Sequence, residues 1–492
     1  MKIKTLSIPL TAALALLLGG CLVGPDYHKP QVAVPAHFQE LDGWTEAEPD
    51  AAAGPKGDWW TGFHDPLLDE LEPLVSVSNQ TVRQDYANYQ QALAEVRLAR
   101  SALFPTIGVT GSVTRARSST GSLSSASSAR LANFQPVNNS GSLEGDVSWA
   151  PDLWGLVRRQ IEQSAATAQA SEATLANATL SEQIALATAV IDLRITDANI
   201  DLLQHTVDAY TGYLRVVADQ DKAGTVPPTD LITARTQLEN AQASLIALGV
   251  ARAQNAHAIA VLVGKNPEDL TIPHSTALPT LPAIPTGLPS TLLERRPDIA
   301  IAERQMAAAN ASIGVAVAAY YPSVSVSGLD GFTQSPLNGL LRISNYVWSL
   351  GGSATETLFD GGARSAEVAA AKAAYDATVA NYRGSVLTAF ENVENDLAGL
   401  RILAQQADAL AAAVRDATRG TEIALNEYQA GTVDYTTVAV AQTTQLNDEQ
   451  AALNVQQQRL LDAASLIGDL GGGWSSAEMH DPRAQPQHAI LP

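Results

Sequence analysis

The sequence predicts a mainly α-helical chain with a small β part, extended rather than globular, and three observations carry that reading. Long stretches hold an apolar residue every seven positions, four short stretches alternate apolar with polar residues, and the order of these stretches recurs in the two halves of the chain. A seven-residue period winds packed helices into a left-handed supercoil. Strict alternation gives a strand one apolar and one polar face. Composition agrees: of 492 residues 46% are hydrophobic but only 5% aromatic, so Ala, Leu and Val must form the buried surface, and such small side chains let helices approach closely. With 51 acidic against 30 basic residues the net charge is -21, which excludes a nucleic-acid partner, because neutralising phosphates needs a basic face. The single cysteine, Cys21, excludes a disulfide framework and a multi-cysteine zinc site.

Element by element, the chain opens on a leader. Lys2 and Lys4 precede an apolar run from Leu6 to Leu18, and Gly19-Gly20 lead into Cys21. That is a secretory signal over residues 1–20, too short to span a bilayer. Leu18-Gly19-Gly20-Cys21 resembles the lipobox of bacterial lipoproteins, which makes Cys21 the expected site of lipidation, palmitate included. Leu22, rather than an aspartate, follows the cysteine and implies sorting to the outer membrane. Cleavage removes two lysines and no acid, taking the net charge from -21 to -23.

The remainder is a repeat. In the first half a helix ends at Leu103-Phe104-Pro105, a Ser/Thr/Gly-rich alternating segment follows, and Leu153-Trp154-Gly155 opens a very long helical pattern broken at Ala223-Gly224-Thr225-Val226-Pro227. A second helix returns to Val263-Gly264. The second half gives Tyr320-Tyr321-Pro322, an alternating segment, Phe359-Asp360-Gly361-Gly362, a long helix, Ala430-Gly431-Thr432-Val433 and a last helix to Ile467-Gly468. In each tip the glycine supplies the conformation that ends one helix and starts its antiparallel partner. Thr229 and Asp434 are the expected helix-start residues. Leu186, Leu193, Ile200, Val207 and Leu214 hold the seven-residue period in one long helix, and Val379, Val386, Val393 and Leu400 in its counterpart. Arg252, Asp396 and Gln457 interrupt the stripes without, alone, indicating a function. At about 1.5 Å per residue the first long helix would measure roughly 100 Å, wider than a compact domain.

The alternating segments are strand candidates. Ile107, Val109, Gly111 and Val113 oppose Thr106, Thr110, Ser112 and Thr114, and Leu143, Val147 and Trp149 oppose Glu144, Asp146 and Ser148. Val324 and Val326 start a third that slips at Leu329 and Asp330, and Tyr346, Trp348 and Leu350 form a fourth with Val347 on its polar face. Each has the length of a transmembrane β-strand, with aromatics near its ends. Four strands cannot close a barrel, which needs about eight, so a membrane-spanning reading requires oligomerisation.

This order resembles the outer membrane factor family, the trimeric channels of the TolC and OprM type, in particular its lipoprotein branch often called NodT-like. Cys21-Leu22-Val23-Gly24-Pro25-Asp26-Tyr27 is similar to the family's start, and Trp59-Trp60, Phe63, Asp65-Pro66 and Leu68 to its next block. The most specific match is Leu292-Leu293-Glu294-Arg295-Arg296-Pro297-Asp298-Ile299, continuing through Ala302-Glu303, Asn310, Ile313-Gly314 and Pro322. Gly471-Gly472-Gly473-Trp474 resembles the typical end. The resemblance implies a TolC-like homotrimer: a 12-stranded outer-membrane β-barrel, four strands per chain, continuous with a periplasmic α-helical barrel and a mixed equatorial domain.

On that resemblance the chain divides into the signal peptide (1–20), a lipidated N-terminus and equatorial segment (21–77), a first repeat (78–264; β-hairpin about 105–151, tip 223–228), a Pro-rich equatorial linker with Pro279, Pro282, Pro285 and Pro289 (265–294), a second repeat (295–468; hairpin about 322–359, tip 430–434) and an equatorial tail (469–492). The implied function is a passive exit duct for drugs or other small toxic compounds, docked to a periplasmic adaptor (membrane fusion) protein and an inner-membrane resistance-nodulation-division transporter. It would sit in the outer membrane of a Gram-negative bacterium and extend into the periplasm.

The resemblance also implies gate residues at the periplasmic end: Asp230, in Thr229-Asp230 before Ala234-Arg235 and Gln237, and Tyr428. The usual basic residue of the pattern is Val433 here, and the usual acid is Val440 within Val438-Ala439-Val440-Ala441-Gln442, so an apolar constriction is expected in place of a carboxylate ring. Ala223, Gly224, Thr225 and Ala430, Gly431, Thr432 are the expected adaptor contacts. No catalytic group, cofactor or metal is expected: the eight histidines show no ligand spacing, and the glycine run 471–473 ends a helix rather than opening one after a strand. Two rival functions are a duct for protein secretion and, from another class, a structural coiled-coil envelope lipoprotein.

Overall fold

The computed structural model describes residues 22–35, 37–40, 58–117, 137–284 and 292–484. Cys21, Pro285, Pro289, the leader and the last eight residues lie outside them. A 3-10 turn Trp59–Phe63 leads into α1 (Pro66–Ser78) and α2 (Gln80–Ser101), then β1 (Thr106–Arg117) and β2 (Val137–Trp149). Next come α3 (Leu156–Lys222), α4 (Pro228–Leu262), the short α5 (Leu292–Arg295) and α6 (Pro297–Ala318). β3 (Ser323–Gln334), β4 (Tyr346–Thr355), α7 (Ala363–Gln429) and α8 (Tyr435–Asp469) complete the chain. Three helices recur at the same length in the two halves. α2 and α6 have 22 residues each, α3 and α7 67, and α4 and α8 35.

Glycines at positive φ set the helix boundaries: Gly155 (84°) and Gly362 (93°) precede α3 and α7, and Gly224 (69°) and Gly431 (73°) close them. Asp434 caps α8 by accepting the Thr437 N–H at 3.0 Å. Thr229 does not cap α4; it lies within the helix, because Pro228, with its fixed φ, takes the first turn and Pro227 the cap position.

The main core lies where the columns meet the equatorial segments. Trp59, Trp60, Phe63, Leu68, Leu71 and Val75 pack on Leu186, Val190, Ile191 and Leu193 of α3, with Val393 and Leu397 of α7 and Leu460 and Leu466 of α8. Each fully buried side chain of this size stabilises the fold by about 2 kcal/mol. Asp65 caps α1 through the Leu67 N–H (2.8 Å) and is held by Arg194 at 2.7 and 3.1 Å. The polar residues that interrupt the heptads are cross-links. Arg252 donates to Asp197 (2.6 Å), Gln457 donates to Asp192 (2.7 Å), and Asp396 lies against Asp469.

The strands form one antiparallel sheet in the order β1-β2-β3-β4. β3 runs unbroken with bulge-free pairing to β2 and β4, so the slip expected at Leu329 and Asp330 does not occur. Asp330 instead stands on the apolar row, opposite Gly145 and Trp348, where its carboxylate accepts the Tyr346 hydroxyl. A paired acid is tolerated where an unpaired one would be costly.

Candidate functional site

The sheet presents two unlike faces. One carries Ile107, Val109, Val113, Val147, Trp348 and Leu350, with Ile107 and Val109 each 77% exposed. The other carries Thr106, Ser112, Glu144, Asp146, Ser148, Ser325 and Ser353. Hydroxyls meet across its strands at 2.7 Å (Thr106–Ser148), 2.9 Å (Ser112–Ser142) and 2.8 Å (Ser325–Ser353). Rings gather at the helix end: Trp149 donates to the Leu103 carbonyl (3.0 Å), Trp154 to the Pro322 carbonyl (2.8 Å), and Trp154 stacks on Tyr321 at 5.1 Å. An apolar face bounded by amphipathic aromatics is the signature of a membrane-spanning sheet. Among the described residues strands β1 and β4 are unpaired on their outer edges.

Residues just after Cys21 are clamped at the junction of sheet and helices. The Val23 N–H donates to the Trp154 carbonyl (3.2 Å), and Arg159, whose side chain is 1% exposed, donates to the carbonyls of Val23 (3.0 Å) and Gly24 (3.2 Å) and to Asp26 (2.9 Å). Asn310 donates to the Pro25 carbonyl (3.0 Å), and a Cβ on Gly24 would lie 2.4 Å from Cα of Gly314. Arg296 donates to both the carbonyl (2.8 Å) and carboxylate (2.7 Å) of Asp469 at the end of α8. The specific motif around residues 292–314 therefore joins the N-terminal strap and both repeats. Arg159 was not singled out by the sequence reading, since an arginine on a helix reads there as a solvated charge.

At the far end the two hairpin tips are near copies. Gly224 and Thr225 N–H groups donate to the carbonyls of Asp221 (2.8 Å) and Gln220 (3.0 Å), and those of Gly431 and Thr432 to Tyr428 (2.9 Å) and Glu427 (3.0 Å). Ala223, Gly224, Thr225, Ala430, Gly431 and Thr432 are all exposed. Behind them Asp230 is 5% exposed, its carboxylate accepting the Tyr435 backbone N–H. Burial pushes Asp230 above the ordinary carboxylate range, with the Tyr435 bond opposing that shift. The Tyr428 hydroxyl donates to Gln220 (2.6 Å), Tyr428 and Tyr435 meet edge to face at 5.6 Å, and burial, then Asp230, raises the Tyr428 pKa. Gln237 donates to the Ala439 carbonyl (3.0 Å) and accepts from Tyr435 (3.2 Å). The structure thus brings Asp230 and Tyr428 into one cluster that ties α3 to α7 and α4 to α8. Val433 lies half-buried in the turn, and Val440 is 63% exposed on α8, apart from the cluster. Tyr435, Gln220 and Gln237 are additional members; Tyr435, directly after the expected cap Asp434, and Gln237, in the matched stretch around Asp230, carried a sequence signal, and Gln220 did not. Among the described residues no His, Cys, Asp and Glu group is arranged to hold a metal.

A membrane-spanning sheet carried on helical columns about 100 Å long defines an outer-membrane channel component with a periplasmic extension. Residues 74–265 and 288–472 match the outer membrane efflux protein family. Curated relatives include the solvent efflux pump outer membrane protein SrpC of Pseudomonas putida, 32% identical over 486 residues (97% of this chain, 100% of that protein), and the antibiotic efflux pump outer membrane protein ArpC of Pseudomonas putida, 30% identical over 476 residues (96% of each). Among solved structures, the outer-membrane channel OprN superposes with a TM-score of 0.83 at 28% identity, covering 92% of this chain and 100% of that one. The open state of the Neisseria gonorrhoeae MtrE channel gives 0.80 at 26%, covering 93% and 99%. The chain belongs to the outer membrane efflux protein family.

Proposed function

We propose that three copies of this chain form a passive exit duct for small toxic compounds, closing a twelve-stranded barrel above a common helical tunnel. The observation that carries this is the sheet itself, with its apolar outward row and two open edges. In lipid an unpaired edge strands N–H and C=O groups at several kcal/mol each, so copies must join edge to edge. Exposed Ile232, Ile246, Val250 and Val261 along α4 give the columns a matching apolar face for a neighbour. Energy would come from an inner-membrane resistance-nodulation-division transporter, reached through a periplasmic adaptor that grips the tips at 223–225 and 430–432. The duct performs no chemistry of its own. The names of the relatives favour solvents and antibiotics as cargo over secreted protein. Cys21, immediately before the clamped segment, would carry the lipid anchor, and Asp230 with Tyr428 would hold the tip closed. The purified protein should be a trimer that conducts ions in planar bilayers, and a deletion strain should become sensitive to toluene and antibiotics with its secreted proteins unchanged. A non-conducting monomer, as a structural tether would be, overturns the proposal.

A further inference from the structure

All four connections between sheet and helices leave one end of the sheet, so the end that holds Arg117, Val137 and the turn at 335–345 is the opposite, extracellular one. Along β1 the lipid-facing row reads Ile107, Val109, Gly111, Val113, Arg115, Arg117. Its apolar part covers about 20 Å of strand at about 3.3 Å per residue, close to the ~25 Å apolar band of such sheets. The two guanidinium groups therefore lie just beyond the hydrocarbon, on the lipid side. Phe332 and Tyr346, edge to face at 5.8 Å on the same row of β3 and β4, stand in register with Leu143 and Gly111, inside the level of the two arginines.

The charge at this end is one-sided. Residues 104–143 and 331–355 contain no Asp, Glu or Lys; their charged residues are Arg115, Arg117, Arg130 and Arg342, in a chain of net charge -21. Among the described residues Arg115, Arg117 and Arg342 have no carboxylate partner, whereas Arg158, Arg159, Arg194, Arg252, Arg296, Arg304 and Arg364 do. Arg342 is exposed in the β3–β4 turn at the same end, and Asn139, directly opposite Arg115 in register, adds an amide donor. Arginine forks match phosphate oxygens in pairs, and an exclusively arginine rim suits a fixed phosphate rather than diffuse screening.

We propose that Arg115 and Arg117, with Arg342, bind the phosphate groups of a glycolipid in the outer leaflet, fixing this end of the sheet to its lipid shell. The inference rests on the membrane orientation of the sheet and is independent of cargo and gate. Native mass spectrometry of the full-length protein in detergent, titrated with diphosphoryl lipid A, should detect binding that is about tenfold weaker for dephosphorylated lipid A and for R115Q/R117Q, and only partly kept by R115K/R117K, which holds the charge but loses the paired fork. Excess inorganic phosphate should not displace the lipid. Equal binding of phosphorylated and dephosphorylated lipid A overturns the site, as does unchanged binding by R115Q/R117Q. Displacement by inorganic phosphate overturns its assignment to a lipid. Assembly and conductance, measured on the same preparations, separate loss of lipid from loss of the channel. If the double variant does not assemble, R342Q, outside the paired strands, and the two lipid A forms on the native chain still decide the question.

Discussion

Glu72 is fully enclosed on α1, and neither of its carboxylate oxygens has a hydrogen-bond partner among the described residues. Burial pushes its pKa up from 4.5 to about 9, so it is a neutral acid at neutral pH. Its folded pKa lies above the unfolded value, so its contribution is fully present below pH 4.5 and is lost as pH rises toward 9. The thermal dissociation midpoint in detergent should fall across that window. Glu72→Gln, which keeps the shape and cannot ionise, should remove most of the loss; an unaltered pH slope would exclude Glu72 as its source. Asp396, raised to about 8 by burial and by Asp469, leaves a residual slope of the same sign. Asp230 offers a second measurement. Asp230→Ala removes the acceptor of the Tyr435 N–H and should raise baseline conductance in bilayers more than Tyr428→Phe, which deletes only the bond to Gln220. Equal conductance of both variants and the native chain would deny the cluster a gating role. Asp230 was legible in the sequence through the family resemblance of its stretch. Glu72 was not, since a lone glutamate on a helix reads as solvated and only the packed equatorial core makes it an orphan.

The helix ends that carry a glycine at positive φ divide into two energetic kinds. At Gly224 and Gly431 an added Cβ meets nothing within 4 Å, so alanine there costs only the left-handed backbone, about 1 kcal/mol. At Gly264 the same atom would lie 2.2 Å from the Ser78 carbonyl oxygen, and at Gly471 2.3 Å from that of Arg295. Gly264→Ala and Gly471→Ala must shift backbone in the equatorial core and should cost more than about 3 kcal/mol, read as loss of heat-resistant assembly, while Gly431→Ala assembles normally. Equal behaviour of the two kinds would show that the close approaches do not govern assembly. The columns and tips were legible because the seven-residue spacing and the two Ala-Gly-Thr copies are local patterns. The phase of β3 was not, because Asp330 is decided by a partner on another strand, Tyr346. Nor was the cap of α4, where the fixed φ of Pro228 outweighs the hydroxyl of Thr229.

Across the whole molecule the acidic excess acquires a direction: arginines alone at the outer end of the sheet, Glu144 and Asp146 on its inward row, and acids along the columns. A long conduit lined by one sign of charge raises the local concentration of cationic solutes. Whether it also traps multivalent cations depends on its narrowest ring, where unit charges close together interact by several kcal/mol if water is scarce. The family pattern implies an acid at the position of Val440 and a base at that of Val433, and here both are apolar, Val440 63% exposed on α8. If the proposed trimer narrows at Val440, the resulting ring of valines offers no site for divalent or trivalent ions, and single-channel current through the native chain should be nearly insensitive to them from the periplasmic side. Val440→Asp should restore block, lowering the blocking concentration at least about tenfold. Tight block of the native channel would mean that other carboxylates form the constriction, and an inert Val440→Asp would mean that α8 does not line it at this level.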